Sequence, residues 1–255
     1  MSTVKAPSAY IVPVDPTSTA ATSVVQGVHP AQLWSTTPSG QAPKPAKAGT
    51  THLFFNTPAE KLTALTSLGP TFSKPQTSPD ARNEAVRTAI GSAVQTIKGL
   101  GQGVYGQTVG IDLLAAGTAH AHAASEAAHL AVYGFDLKTD EPNAPTEKLT
   151  FVPVSGKITE QVRNAWESGK VYAEAQNLAR TLMELPANML TPTLFTERIK
   201  TEAEQIENVD VVIRERGQCA ITPGDIGAAD THIDSPLVPM LQSGPKKKAC
   251  VHSSA

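Results

Sequence analysis

His122, Glu126 and His129 recur at i, i+4 and i+7, so a helix through them would carry two imidazoles and a carboxylate on one face, with His120 nearby. Neutral imidazole and carboxylate are adequate zinc ligands. A second set, Asp225, Asp230, His232 and Asp234, lies near the C-terminus. Alternation would gather the last three on one side of an extended segment, and such donors suit a divalent ion. A metal site needs a fixed second shell, however, and prolines at 223, 236, 239 and 245 break up the chain around this set. A solvated loop is the preferred reading.

Gly101, Gly103 and Gly106 fit G-x-G-x-x-G. Dinucleotide binding needs a strand before those glycines and a helix N-terminus after them, so that backbone amides face the pyrophosphate. Here a helical pattern precedes and a strand pattern follows. The glycines therefore read as a helix-to-strand turn. No G-x-S-x-G nucleophile elbow, G-x-x-x-x-G-K-[ST] phosphate loop or H-E-x-x-H zinc helix occurs.

The elements around these residues alternate strand and helix. Ala9–Val14 could make one edge strand, since Pro13 is tolerated there. Pro16 to Lys47 shows no sustained period and is expected to be a long loop or disordered spacer. His52–Phe55 and Lys61–Thr66 are short enough for strands. Ser78-Pro79 starts a helix, with Val86, Ile90, Val94 and Ile97 at helical spacing. Val109–Leu114 reads as a buried strand, Thr118–Tyr133 as a helix, and Leu149–Val154 as a strand that Pro153 limits to an edge. A long helix from near Thr159 to about Leu185 ends at Pro186. Thr191-Pro192 caps another, running to about Ile206, and Val209–Ile213 is a strand. Strand–helix alternation predicts a mainly parallel, helix-covered α/β sheet.

Charged residues make up 17% of the chain, against about 25% in an average protein. The twenty prolines cluster toward the two ends, which suggests unstructured length there. A net charge of -2 gives no electrostatic footprint for nucleic acid, and Lys246–Lys248 is too short a run to change that. Nothing approaches the roughly 20 apolar residues of a membrane span. Neither a signal nor a typical transit peptide is visible, and the cytoplasm is the expected compartment. Cys219 and Cys250, the only cysteines, form no framework that argues for secretion.

Two blocks carry a resemblance. Asn177-Leu178-Ala179-Arg180, running on through Met183-Glu184-Leu185-Pro186-Ala187-Asn188 to Thr191-Pro192, resembles the linking block of the leucyl (cytosol) aminopeptidase family. Ala124–Lys138 resembles that family's "A-x-E-G-x-x-L-x-x-Y-x-F" helix, with Ala127 where glycine is usual. The likeness covers about residues 49–216. It implies a macro-like N-terminal α/β domain over 49–146, preceded by a low-complexity segment over 1–48. Residues 147–216 would then be a linker helix and the helical start of a second α/β domain, the catalytic one, and 217–255 an irregular tail.

The resemblance also implies chemistry. The family removes N-terminal residues from peptides with two bridged divalent metals, Zn, Mn or Mg, which activate a water and polarise the carbonyl. Its ligands sit in "G-K-G-x-x-x-D-x-G-G", a later aspartate and "N-T-D-A-E-G-R", and none of these segments occurs in this sequence. No catalytic, cofactor-binding or metal residue is therefore assigned, and no cofactor is expected in this chain. The departure near Gly217 is what a frameshift, retained intron or alternative exon would give.

In the family the helix holding His122, Glu126 and His129 is structural and carries no metal, so a satisfied histidine face is preferred there. Arg180 and Glu184, one turn apart, and Asn188 in the turn after Pro186 read as fold determinants. The expectation is a truncated family member, inactive alone. Because the family is hexameric, it would join full-length subunits or self-associate, its long helix leaving Trp166, Tyr172, Leu178 and Leu182 uncovered. The alternatives are an active metal-dependent aminopeptidase and a small-molecule module of ADP-ribose type.

Overall fold

The computed structural model describes residues 7–17, 23–25, 28–55, 62–101, 106–114, 116–135, 149–206, 209–214 and 248–252. The chain divides into two compact units, Met1–Ala179 and Arg180–Ala255.

Five strands build the first unit: β1 (Ala9–Val14), β2 (Thr51–Phe54), β3 (Leu62–Ser67), β4 (Thr108–Asp112) and β5 (Thr150–Val154). Their order across the sheet is β2-β3-β1-β4-β5. β1 runs parallel to both β3 and β4, β4 is parallel to β5, and only β2 is antiparallel. The mainly parallel, helix-covered α/β sheet expected from the sequence is present.

β1 corrects one expectation. It is the central strand, not an edge strand, and its described side chains are nearly all buried. Pro13 is accommodated because the register with β4 stops at Ile11↔Ile111, leaving Pro13 on a stretch paired with β3 alone. Pro153 does lie in an edge strand, β5. β1, before residue 49, and β5, after residue 146, belong to the same sheet.

Alternation along β1 builds two cores. Ala9 and Ile11 face one side, packing with Val109, Ile111, Val86, Ile90 and Val94. Tyr10, Val12 and Val14 face the other, with Leu65, Val25, Val28 and Trp34. Trp34 comes from α1 (Pro30–Ser35), so the stretch expected to be a spacer supplies a helix and a buried tryptophan. Sequence periodicity missed it because a six-residue helix is shorter than two turns. Burying each such side chain contributes roughly 1.5–3 kcal/mol.

α2 (Pro79–Lys98) begins as its sequence predicts: Ser78 accepts a hydrogen bond from the Ala81 N–H, and Pro79 occupies the first turn. It packs beside α3 (Ala121–Ala131), which a turn of 3-10 helix at Thr118–His120 precedes. The C-terminal carbonyls of α3 are met from α2. Gln95 donates to Ala131 O at 2.6 Å, and Lys98 Nζ donates to Val132 O and Tyr133 O at 3.3 and 3.1 Å. A cation at a helix C-terminus also complements the dipole.

α4 (Glu160–Glu184) buries Val162, Trp166, Gly169 and Ala173, one stripe at helical spacing. Trp166 is 3% exposed, which corrects its place among the uncovered residues. Val171 and Tyr172 are exposed, whereas Leu178 and Leu182 are half-buried.

The second unit holds the end of α4, then α5 (Pro192–Ala203), which Thr191 caps by accepting from the Leu194 N–H, and β6 (Asp210–Arg214). A further strand, β7 (Lys248–His252), pairs parallel with β6. The expected irregular tail thus contains regular structure at 248–252, and Lys248 of the lysine run lies within it.

Candidate functional site

β1 and β4 are neighbours, yet the chain leaves them on opposite faces of the sheet: β1 leads to α1 and β4 to α3. In open parallel sheets such a reversal leaves a crevice at the carboxyl ends of the strands. Two buried carboxylates mark that edge. Asp15 follows β1 directly, and Asp112 closes β4.

Both are held by loop donors. Asp112 is 1% exposed. Its Oδ2 accepts from the Ser23 hydroxyl at 2.6 Å and the Val24 N–H at 3.1 Å, and its Oδ1 accepts from the Leu114 N–H at 2.8 Å. Asp15 accepts from the Thr17 N–H at 2.8 Å, the Thr17 hydroxyl at 2.6 Å and the Ser73 hydroxyl. Charge-assisted bonds of this kind are about twice as strong as neutral ones, so the carboxylates fasten loops to strand ends. Each accepts three hydrogen bonds of the about four a carboxylate can take, all of them from neighbouring loops. Sequence reasoning passed over both; the available signal was an aspartate at the end of each apolar run, Tyr10–Asp15 and Val109–Asp112.

The histidine face of α3 does not converge on a metal position. Glu126 Oε2 accepts from Arg87 Nε of α2 at 2.8 Å, while His122 Nδ1 is 3.9 Å from the same oxygen. His129 turns to its own helix, Nδ1 lying 2.8 Å from the Ser125 carbonyl oxygen, and its ring meets Phe151 and Trp166 edge-on. His120 Nδ1 is 2.6 Å from Asn83 Oδ1, and its ring meets Phe72. Among the described residues no group of three or more His, Cys, Asp and Glu side chains is placed to hold a metal ion. Burial pushes His129 and His120 below the ordinary histidine value, and Arg82 lowers His120 further.

The remaining candidates are placed as follows. Asp225, Asp230, His232, Asp234 and Cys219 lie outside the described residues, as do residues 102–105 of the glycine motif. That motif does follow a helix and precede a strand, α2 and β4. Glu184 ends α4, and exposed Asn188 sits in a turn held by the Met189 and Leu190 N–H groups donating to Pro186 O. No described helix is long and apolar enough to cross a membrane.

No protein-family model matches the chain. It is 29% identical over 174 residues to a cytosol aminopeptidase of Dictyostelium discoideum, covering 66% of this chain and 32% of that protein. It is 42% identical over 98 residues to the cytosol aminopeptidase of Xenopus tropicalis, covering 38% of this chain and 17% of that protein. Among solved structures, the bottromycin maturation enzyme BotP is similar in fold, with a TM-score of 0.53 at 22% identity over 78% of this chain and 38% of that one. The same enzyme in complex with Mn gives a TM-score of 0.51 at 20% identity. The chain spans about a third of the length of the first of these relatives.

Proposed function

We propose, on the premise that this chain is a homologue of the leucyl (cytosol) aminopeptidases over 66% of its length, that this stretch is not catalytic by itself. It would supply the macro-like N-terminal domain, the linking helix and the first elements of a second domain. The observation that carries this is the likeness to these enzymes over 66% of the chain, beside described side chains that form no group placed to hold a metal ion.

Among the described residues no side-chain group fits a two-metal centre. Glu126 is engaged by Arg87, His129 by a carbonyl and two aromatic rings, and Asp15 and Asp112 by hydroxyl and amide donors. No hydrolytic step is therefore derived for this chain. Its partners would be full-length aminopeptidase subunits, or further copies of itself, in the cytoplasm.

Purified chain, incubated with Mn or Zn at high protein concentration, should release no leucine from a leucyl anilide. Metal-dependent turnover that co-purifies with the chain and is lost with it would overturn the reading. Co-expression with a full-length relative should yield mixed assemblies on gel filtration, and strict separation of the two would remove the partner half of the proposal.

A further inference from the structure

His122 and His129, two turns apart on α3, both face α4. The His122 ring meets Tyr172 edge-on with centroids 5.2 Å apart, and the His129 ring meets Trp166 at 6.4 Å and Phe151 of β5 at 5.4 Å. Gly169 lies against the His122 carbonyl and the Ser125 side chain. Asn177 Nδ2 donates to the His129 carbonyl at 3.0 Å. These contacts share one face with the buried stripe of α4. Within Glu160–Ala179, attachment to the sheet domain is thus concentrated on a seam whose α3 side carries two imidazoles.

We propose that the α3–α4 seam is a proton-operated latch: a proton added to His129 loosens α4 from α3 and β5 and uncovers Trp166, while the sheet and α2 stay folded.

The hydrogen bond to the Ser125 carbonyl makes Nδ1 the donor of the neutral ring, so a proton adds at Nε2. That places a cation on a half-buried ring that meets Trp166 and Phe151 edge-on. Burial is the largest influence, and it opposes the charge. The Ser125 carbonyl favours the charge, as do Glu174 and Glu167 of α4, while Lys170 of α4 opposes it. The last turn of α3 also favours a cation there. Phe151 of β5 brings no charge. Around His122, Glu126 stands 3.9 Å away, but it is already held by Arg87, which also lies 3.6 Å from Glu84. Opening the seam returns His129 to water and lets it take up its proton, so acid favours the open form.

Amide hydrogen exchange of the full chain, corrected for intrinsic rates, tests this between pH 7.5 and 5. Amides of residues 160–179 should lose protection below the ordinary histidine value of 6.5, by about tenfold per pH unit until the folded-state value is reached. Those of β1 and α2 should stay better protected at every pH, because they open only with the whole fold. His129→Gln should remove the response, and His120→Gln should retain it. Equal protection of residues 160–179 and of β1 at low pH, or a response of residues 160–179 that survives in His129→Gln, would overturn the latch. Should His129→Gln not fold, acrylamide quenching of Trp166 in a Trp34→Phe chain decides. It must rise over the same pH interval, and constant quenching would overturn the proposal.

Discussion

Gly169 of α4 sits so close to His122 of α3 that a methyl group on its Cα would stand 2.3 Å from the His122 carbonyl oxygen and 3.1 Å from Ser125 Cβ. The obstacle is backbone, which cannot swing aside as a side-chain tip would. Close approach here matches the make-up of α3, whose buried face is alanine and serine. Small residues on both helices set the distance at which Trp166 can reach His129.

Gly169→Ala should therefore destabilise the chain despite alanine's better helix propensity. Overpacking of this kind costs typically 1–3 kcal/mol, against a propensity gain of about 1 kcal/mol. Urea unfolding should show a lower midpoint than wild type. Gly91→Ala on α2, where an added Cβ meets nothing within 4 Å, should raise it instead.

Asp112→Ala removes the acceptor for three donors at the end of β4 and leaves the Leu114 and Val24 amides without it. Hydrogen bonds to a charged group contribute about 1.5–3 kcal/mol, so a loss of at least that size is expected. Thermal unfolding gives the measure. An unchanged Tm would mean that the loops after β1 and β4 do not depend on this carboxylate.

Acid should destabilise the fold before its carboxylates titrate. Burial holds His52, His120 and His129 below the ordinary value of 6.5. Above 6.5 both folded and unfolded forms are mostly neutral and the shift contributes nothing. Below it the unfolded chain takes up protons first, so stability falls as pH drops through 6.5 toward the folded-state values. Tm should be lower at pH 5.5 than at pH 7.5. Replacing all three histidines with glutamine should flatten that slope.

Much of the first unit was legible because its signals are local. The Ser78-Pro79 and Thr191-Pro192 starts, and the spacing of Val86, Ile90, Val94 and Ile97, depend on residues a turn or two apart. What escaped depends on distant partners. Nothing near Ala9 shows that it pairs with both Leu62 and Val109. A proline in the strand argued for an edge, and only the short β4 ladder explains why it does not decide. Trp34 looked like one residue in a featureless stretch, because its neighbours Val12, Val14 and Leu65 come from two other strands. The histidine face was seen as a pattern, but its use was not. Arg87, Ser125, Tyr172 and Trp166 claim those side chains, and spacing along α3 carries no record of them.

The position of β1 bears on how this polypeptide reaches its native state. Its middle strand is made before the other four strands of the sheet, and one of its two flanking partners is not synthesised until Val109 has emerged. Until then Ala9, Tyr10 and Ile11 must wait with their ladder half made, which raises contact order and slows closure. Shortening the chain from its amino end past Ala9 would remove the keystone of the sheet, whereas the same cut in most domains would merely trim a fringe.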